Sequence, residues 1–201
     1  MECMPIRNQV IGSRLKSKSS DESLMALTQK GDYRAFDELY ERYHRPLFYF
    51  FCRMLSNDRE KCEDFLQDIF MKLIERPEMY DPSRLFRPWI YSVAHNMVKN
   101  EYKKLEVRKV MLKGADTSKV AINGKQVDEK TDEEFFREKL FDCLEKFDPD
   151  NKAAFLMEYH DGFSIEEIAQ TLNIKEGTVK SKLFYTKQEL AGLLREFNPK
   201  K

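Results

Sequence analysis

Glycine and proline are scarce in this sequence, with seven of each among 201 residues. Both interrupt helices, glycine through its backbone entropy and proline through its missing N–H group. Long segments contain neither residue, which predicts a mostly helical chain. Hydrophobic residues make up 41%, which excludes a disordered protein, but charged residues make up 35%, too many for one large, deeply buried core.

Cysteine and histidine are also few. The four cysteines, Cys3, Cys52, Cys62 and Cys143, lie far apart, and there are only three histidines. Because a structural zinc site needs clustered thiolates or imidazoles, we expect neither a metal nor any other cofactor. Cys52 and Cys62 fall within apolar helical patterns and are predicted to be buried thiols.

Long apolar runs are missing too. No run approaches the roughly 20 residues of a membrane span, and residues 1–20 lack the apolar core of a signal peptide. We therefore expect a soluble, cytoplasmic protein. The formal net charge is zero, which excludes a simple basic protein of the histone type. Any nucleic-acid surface must come from local segregation of charge.

Apolar residues in the first half recur at helical spacing. Ser20 followed by acidic residues predicts the start of a first helix. Gly31 and Asp32 predict a break and a second start. Pro46 lies inside the second helix and predicts a kink rather than an end. The second helix carries a core stripe at steps of three and four residues, formed by Phe36, Leu39, Tyr40, Tyr43, Leu47, Phe50, Phe51 and Met54.

Two further helices are predicted on either side of a loop with three prolines, residues 77–88. The helix before the loop exposes an acidic shoulder made of Glu63, Asp64, Gln67 and Asp68. Pro88 suits the first turn of the helix after it, from Trp89 to about Val110. One side of that helix is apolar. The other side is predicted to point outward and carries His95, Asn96, Lys99, Asn100 and Lys103.

Composition changes at residues 112–130, where apolar periodicity is lost and Gly, Asn, Lys and Asp dominate. We interpret this segment as a flexible linker between two small helical domains. Residues 128–150 contain ten acidic and four basic residues. Within the second half, Asp148 and Pro149 fit the N-cap and first turn of a helix.

The stretch "SIEEIAQTLNIKEGTVKSKLFYTK", residues 164–187, has the spacing of a helix-turn-helix. Ser164 and Glu167 form a predicted capping box, and Asn173 can end the first helix. Residues facing outward from the second helix have the types that contact phosphates and base edges. They are Lys175, Thr178, Lys180, Ser181, Phe184 and Lys187, with Gly177 allowing close approach to a phosphate. The alternative is a packed helical hairpin with a solvated lysine face.

Both halves together resemble one family. "SIEEIAQTLNIKEGTVKSKLFYTKQEL" resembles region 4 of bacterial sigma factors of the extracytoplasmic-function class. "GDYRAFDELYERYHRPLFYFFCRML", "EDFLQDIFMKLIER" and "FRPWIYSVAHNMVKN" resemble region 2, in the right order. The resemblance covers about residues 21–110 and 131–195.

This resemblance implies an all-α fold with two small helical domains. A four-helix domain of the region 2 type would occupy residues 21–111, and a domain of the region 4 type, with a C-terminal helix-turn-helix, residues 131–196. Residues 112–130 would be the flexible linker, and residues 1–20 and 197–201 would be tails.

The resemblance also implies a function without enzymatic chemistry. The protein would be an alternative sigma factor that binds core RNA polymerase, through the β′ clamp helices and the β flap, and directs initiation at promoter DNA. An anti-sigma factor would be a further partner, and no small-molecule substrate is expected. The polymerase-binding residues would be Asp64, Phe65, Gln67 and Asp68, which without the resemblance read as a solvated acidic face.

The −10 element would be recognised and opened by the loop and helix over residues 78–103. A flipped base would enter a pocket around Met79–Leu85. Trp89 could act as a wedge that opens the DNA strands. Its place in the helical pattern suits a core residue better. The −10 contacts would be His95, Asn96, Lys99, Asn100 and Lys103; the −35 contacts would be Lys175, Gly177, Thr178, Lys180, Ser181, Phe184 and Lys187.

The sequence departs from the family pattern at several positions. Asn100 and Lys103 stand where many members have Asp and Arg, and Lys182 replaces the usual Arg. Phe184 and Tyr185 stand where Arg or His is common, and Phe184 either contacts a thymine methyl group or packs.

Two other classes remain open from the residues. One is a free-standing regulator whose first domain dimerises or senses a ligand. The other is a helical enzyme using Glu63, Asp64 and Asp68, although no His or second acidic helix is spaced to complete a metal site.

Overall fold

The computed structural model describes residues 19–112 and 131–197, and within these ranges the chain is helical without strands. The predicted N-terminal tail before residue 19, nearly all of the predicted linker and the last four residues lie outside the described residues. The first half contains α1 Asp21–Thr28, α2 Tyr33–Met54, α3 Arg59–Glu75, a 3₁₀ turn Pro77–Met79, and α4 Phe86–Leu112. The second half contains α5 Asp132–Leu144, α6 Pro149–Tyr159, α7 Ile165–Leu172, α8 Glu176–Leu193, and a 3₁₀ turn Arg195–Phe197.

The predicted boundary between the first two helices is confirmed. Ser20 caps α1 by accepting a hydrogen bond from the N–H of Ser23 at 3.2 Å. Gly31 has φ +86°, a conformation that glycine adopts without strain, and Asp32 caps α2. The helix α2 then continues through Pro46 to Met54, so the proline does not end it.

Helix α4 begins three residues earlier than the predicted start at Trp89. The side chain of Glu22, on α1, accepts a hydrogen bond from the N–H of Phe86 at 3.0 Å. An acidic group at a helix N-terminus satisfies a free N–H and favours the helix dipole. This cap comes from a residue 64 positions away, which is why the local sequence does not indicate it.

The core of the first half is rich in aromatic residues. Tyr91 of α4 packs edge-on against Phe50 of α2, with ring centroids 5.2 Å apart. Trp89 is half-buried and contacts the rings of Tyr80 and Phe86, which favours the core reading of this residue over the wedge. Cys52 and Cys62 are buried free thiols, as predicted.

The second half is built around α6, α7 and α8, and α5 packs against α8. Asp148 caps α6 and Pro149 occupies its first turn, as predicted. The predicted inward residues of α8 are all buried: Val179, Leu183, Thr186 and Leu190.

The two halves pack against each other. Helix α4 contacts α7, and α2 contacts α6. At the centre of this interface, the rings of Tyr91 and Phe163 meet edge-on with centroids 4.7 Å apart. None of the helices within the described ranges is long and apolar enough to cross a membrane.

Candidate nucleic-acid and protein interfaces

The turn between α7 and α8 is fixed by local hydrogen bonds. The capping box is present: Ser164 Oγ accepts from the N–H of Glu167 at 3.1 Å, and Glu167 Oε2 accepts from the N–H of Ser164 at 2.8 Å. Asn173 ends α7 in the left-handed conformation, with φ 54°. The N–H of Ile174 then donates to the carbonyl of Ala169 at 3.0 Å. Because both ends of α7 are satisfied, α8 is presented at a fixed angle.

The structure brings the predicted −35 residues together on the outer face of α8. All seven are exposed: Lys175, Gly177, Thr178, Lys180, Ser181, Phe184 and Lys187. We call this set the α8 face. Phe184 is 61% exposed, so it is not packed in the core. A Cβ at Gly177 would meet no atom within 4 Å in the free protein, so packing does not require glycine there.

Lys182 lies on the other side of α8 from this face. Its amine donates to Asn151 Oδ1 at 2.8 Å and lies 3.9 Å from Asp148. These contacts attach α8 to the start of α6. The lysine that replaces the usual Arg at this position therefore makes contacts within the second half of the chain.

The predicted −10 residues of α4 are only partly open to solvent. Asn96, Asn100 and Lys103 are exposed as predicted. The prediction that His95 points outward into solvent is wrong: it is 2% exposed, and its Nε2 lies 2.8 Å from Asp150 Oδ1. The first turn of α6, in the second half, reaches this side of α4 through Asp150. Lys99, one turn further along, is half-buried by the same contact.

The loop before α4 is anchored by hydrogen bonds to its backbone and exposes two apolar side chains. Gln29 Nε2 donates to the carbonyls of Pro77 and Tyr80, both at 2.9 Å. The hydroxyl of Tyr80 donates to the carbonyl of Arg84. Burial raises the pKa of Tyr80 to about 12, so this donor keeps its proton at neutral pH. Met79 and Leu85 are each nearly half exposed, which suits contact with an unstacked base.

The acidic shoulder lies on the exposed side of α3. Asp64, Gln67 and Asp68 are exposed, whereas Phe65 is half-buried and packs edge-on against Phe51 at 5.5 Å between centroids. Asp64 and Asp68 are one helical turn apart, so they share one ridge. This ridge presents two carboxylates to a partner.

An apolar cleft of about 320 Å³ runs beside this ridge between α2 and α3. Sequence reasoning missed it as a functional feature. Met71 and Ile74 are apolar residues of α3, yet the structure leaves them 44% and 46% exposed. We call it the α2–α3 groove; its lining residues are Phe36, Tyr40, Glu63, Leu66, Gln67, Phe70, Met71 and Ile74.

Carboxylates, thiols and imidazoles do not form a metal-binding group of three or more anywhere in residues 19–112 and 131–197. Glu63, Asp64 and Asp68 follow one helix, and Glu63 is engaged with Arg59 at 3.0 Å. The geometry therefore gives no support to the reading of these carboxylates as a metal site.

These features define a helical protein in two parts, one with a helix-turn-helix of the DNA-binding type and one with an exposed face that is acidic and apolar. The family model of sigma-70 region 2 matches residues 39–108, and that of sigma-70 region 4 matches residues 137–190. Together the two matches span more than half of the chain. The chain belongs to the sigma-70 family of bacterial RNA polymerase sigma factors, in the extracytoplasmic-function (ECF) class.

Two relatives illustrate the similarity in sequence. The ECF RNA polymerase sigma factor SigL of Mycobacterium tuberculosis is 28% identical over 154 residues, which cover 76% of this chain and 85% of that protein. The ECF RNA polymerase sigma-E factor of Haemophilus influenzae is 27% identical over 177 residues, covering 84% and 92%.

Two solved structures share the fold. The sigma factor RpoE of Bartonella quintana, in complex with the anti-sigma factor NepR, aligns with a TM-score of 0.62 and 22% identity over 80% of this chain and 96% of that one. CnrH, in complex with the cytosolic domain of CnrY, aligns with a TM-score of 0.63 and 20% identity over 90% and 100%.

Proposed function

We propose that this protein is an alternative sigma factor that binds core RNA polymerase and directs promoter-specific transcription initiation. The observation that carries the proposal is the order of the two modules, a region 2 match followed by a region 4 match, each with an exposed binding face. The first module spans residues 21–111 and the second residues 131–196. Residues 112–130 connect them, and residues 1–20 and 197–201 are tails.

Polymerase docking is assigned to the exposed side of α3. Asp64 and Asp68 would pair with basic groups on the β′ clamp helices, and Gln67 lies at the edge of the α2–α3 groove. The groove would receive apolar side chains of the same helical partner, in the manner of a helix laid into a hydrophobic cleft. Phe65 is half-buried and supports this ridge by packing against α2. The second module would reach the β flap.

Promoter reading is divided between α8 and α4. The α8 face would enter the major groove of the −35 element, where lysines neutralise phosphates and Thr178 and Ser181 reach base edges. His95, Asn96, Lys99, Asn100 and Lys103 would hold the separated strand of the −10 element. A flipped base would lie against the loop that exposes Met79 and Leu85.

Regulation by an anti-sigma factor is part of the proposal. Two structural relatives were solved in complex with other proteins, one with the anti-sigma factor NepR and one with the cytosolic domain of CnrY. A partner of this kind would cover the polymerase-binding ridge. The protein would act in the cytoplasm, where the polymerase is, and would carry no catalytic residues of its own.

The test is in vitro transcription with purified core RNA polymerase over a randomised promoter library. We expect the protein to make core enzyme initiate at templates sharing two elements at fixed spacing. Failure to associate with core in a pull-down, together with no promoter selection, would overturn the proposal. If the free protein bound a promoter as tightly and specifically as the holoenzyme does, that result would instead support a free-standing regulator.

A further inference from the structure

Asp150 of α6 is held by two of the side chains assigned to the −10 element. Its Oδ1 lies 2.8 Å from Nε2 of His95 and 3.0 Å from Nζ of Lys99. The two donors are four residues apart on α4, so they stand on one ridge of that helix. The hydrogen bond from His95, and after it the one from Lys99, holds the pKa of Asp150 well below its usual range despite partial burial. The carboxylate is therefore ionised at neutral pH.

An imidazole and an ammonium group that meet one anionic oxygen would meet a DNA phosphate in the same way. The two ligands exclude each other, since Asp150 already lies at hydrogen-bond distance from both donors. We propose that His95 and Lys99 form a phosphate site for the melted DNA strand, and that Asp150 occupies this site in the free protein as an internal competitor. The inference rests on the proposed function, because it uses the assignment of α4 to the −10 element.

Other contacts join the two modules near the opposite end of α6. The guanidinium of Arg87 lies 4.0 Å from the ring centroid of Phe163, and it donates to the carbonyl of Asp161. Arg53, on α2, lies 3.3 Å from Oδ1 of Asp161. Asp150 is also the last residue of the acidic stretch 128–150. Its carboxylate pairs with two donors on one ridge of α4, which is the arrangement expected of a substitute for a phosphate.

The interface combines the buried Tyr91–Phe163 ring contact with polar contacts such as His95–Asp150 and Arg53–Asp161. Polar contacts between modules of one chain can be exchanged for water or for a new partner at modest cost, so the closed arrangement can open. Opening would expose His95 and free Lys99 together.

The closed arrangement affects the two DNA elements unequally. Every residue of the α8 face is exposed while Asp150 occupies the α4 ridge. The free protein should therefore bind −35 duplex DNA with its intrinsic affinity but bind single strands weakly. This asymmetry distinguishes an internal competitor from a general loss of DNA affinity.

The test measures binding of the full-length free protein to a fluorescein-labelled oligothymidylate of about 12 nucleotides, a length within the usual range of single-strand sites. The variants are Asp150→Asn and Asp150→Ser, the second keeping a residue that favours the first turn of a helix. The matched control is Asp142→Asn, which removes the same charge from an exposed position on α5. We expect both Asp150 variants to bind about tenfold more tightly, the gain expected if the closed form outnumbers the open one by about ten to one.

The Asp142→Asn control should bind like the wild type, and all variants should bind −35 duplex equally. Adding Lys99→Gln to Asp150→Asn should abolish the gain. Equal single-strand affinity of the Asp150 variants and the control, or a gain that survives Lys99→Gln, would overturn the inference. Holoenzyme transcription separates the two proposals: its absence counts against the sigma function, whereas transcription without a gain for the Asp150 variants counts only against the internal competitor.

Discussion

The amine of Lys152 lies 3.1 Å from the carbonyl oxygen of Met54, the last residue of α2, and 2.7 Å from Glu145 Oε1. A cation at the C-terminal end of a helix interacts favourably with its dipole. Lys152 belongs to the second half of the chain and is only 1% exposed. Burial lowers its pKa, although the contact with Glu145 opposes this effect. The two halves are therefore joined by a buried charge.

Replacing Lys152 with Met should weaken the joint between the halves without unfolding either one. The Met54 carbonyl keeps the hydroxyl of Tyr102 as a donor, and Glu145 is partly exposed to water, so neither group is stranded. We expect the free energy of unfolding to fall by about 1–3 kcal/mol, measured by urea denaturation. Lys146→Met, at an exposed position, should change it by less than about 0.5 kcal/mol. Equal stabilities of the two variants would contradict this role for Lys152.

Gly177→Ala tests the contact between the start of α8 and DNA. A Cβ there meets nothing in the free protein, so the variant should fold and gain up to about 1 kcal/mol of helix stability. Its affinity for −35 duplex should nevertheless fall, because the added methyl group would face the phosphate. Gly192→Ala also adds a Cβ into open space, but lies near the other end of α8. Fluorescence anisotropy should show normal DNA binding for Gly192→Ala, and a matching loss in both variants would rule out the phosphate contact.

Asp68→Lys should reduce binding to core polymerase about tenfold, since a like charge would face the basic partner. Asp142→Lys makes the same change at an exposed position on α5 and should bind core normally. Affinity is measured with labelled protein and purified core enzyme at two salt concentrations. Loss of binding should be larger at low salt. A loss of the same size with Asp142→Lys would mean that net charge, rather than the ridge, controls docking.

Ile74→Ser should separate the apolar part of the same interface from the charged part. Ile74 is 46% exposed in the α2–α3 groove, so the variant should fold with little change in stability. Its loss of core binding should be insensitive to salt, because no charge is altered. A loss that follows salt in the same way as Asp68→Lys would argue against the groove as a docking site.

The loop before α4 should lose its shape at high pH. The pKa of Tyr80 is about 12 in the folded protein and about 10 in an unfolded chain. Its folded pKa is raised, so its contribution to stability is complete below about pH 10 and is lost as the pH rises through about 12. Ultraviolet titration of phenolate formation should show fewer groups titrating near pH 12 in Tyr80→Phe. Loss of a group that titrates near pH 10 instead would mean that Tyr80 is not shielded.

Local patterns predicted the helices and the helix-turn-helix because their causes lie close together in sequence. Ser164 and Glu167 are three residues apart, and Asn173 ends α7 by its own backbone preference. The burial of the His95 side chain could not be predicted in the same way. Its burial depends on Asp150, 55 residues further along the chain, and no periodicity within α4 reports a contact with another module.

The early start of α4 and the α2–α3 groove have the same explanation. Glu22 caps α4 from the first helix, and the groove exists only where Phe36 and Ile74 from two helices line one cleft. Helical spacing identified which residues of each helix were apolar. It did not identify which apolar residues would remain uncovered once the helices had packed.

The covered ridge of α4 has a consequence for how the protein finds its targets in a cell. Bulk DNA and RNA offer a vast excess of phosphates, and exposed lysines bind them without regard to sequence. A chain of zero net charge that keeps Lys99 paired within itself presents fewer such lysines while it is free. It is therefore sequestered less by bulk nucleic acid, and more of it stays available to polymerase.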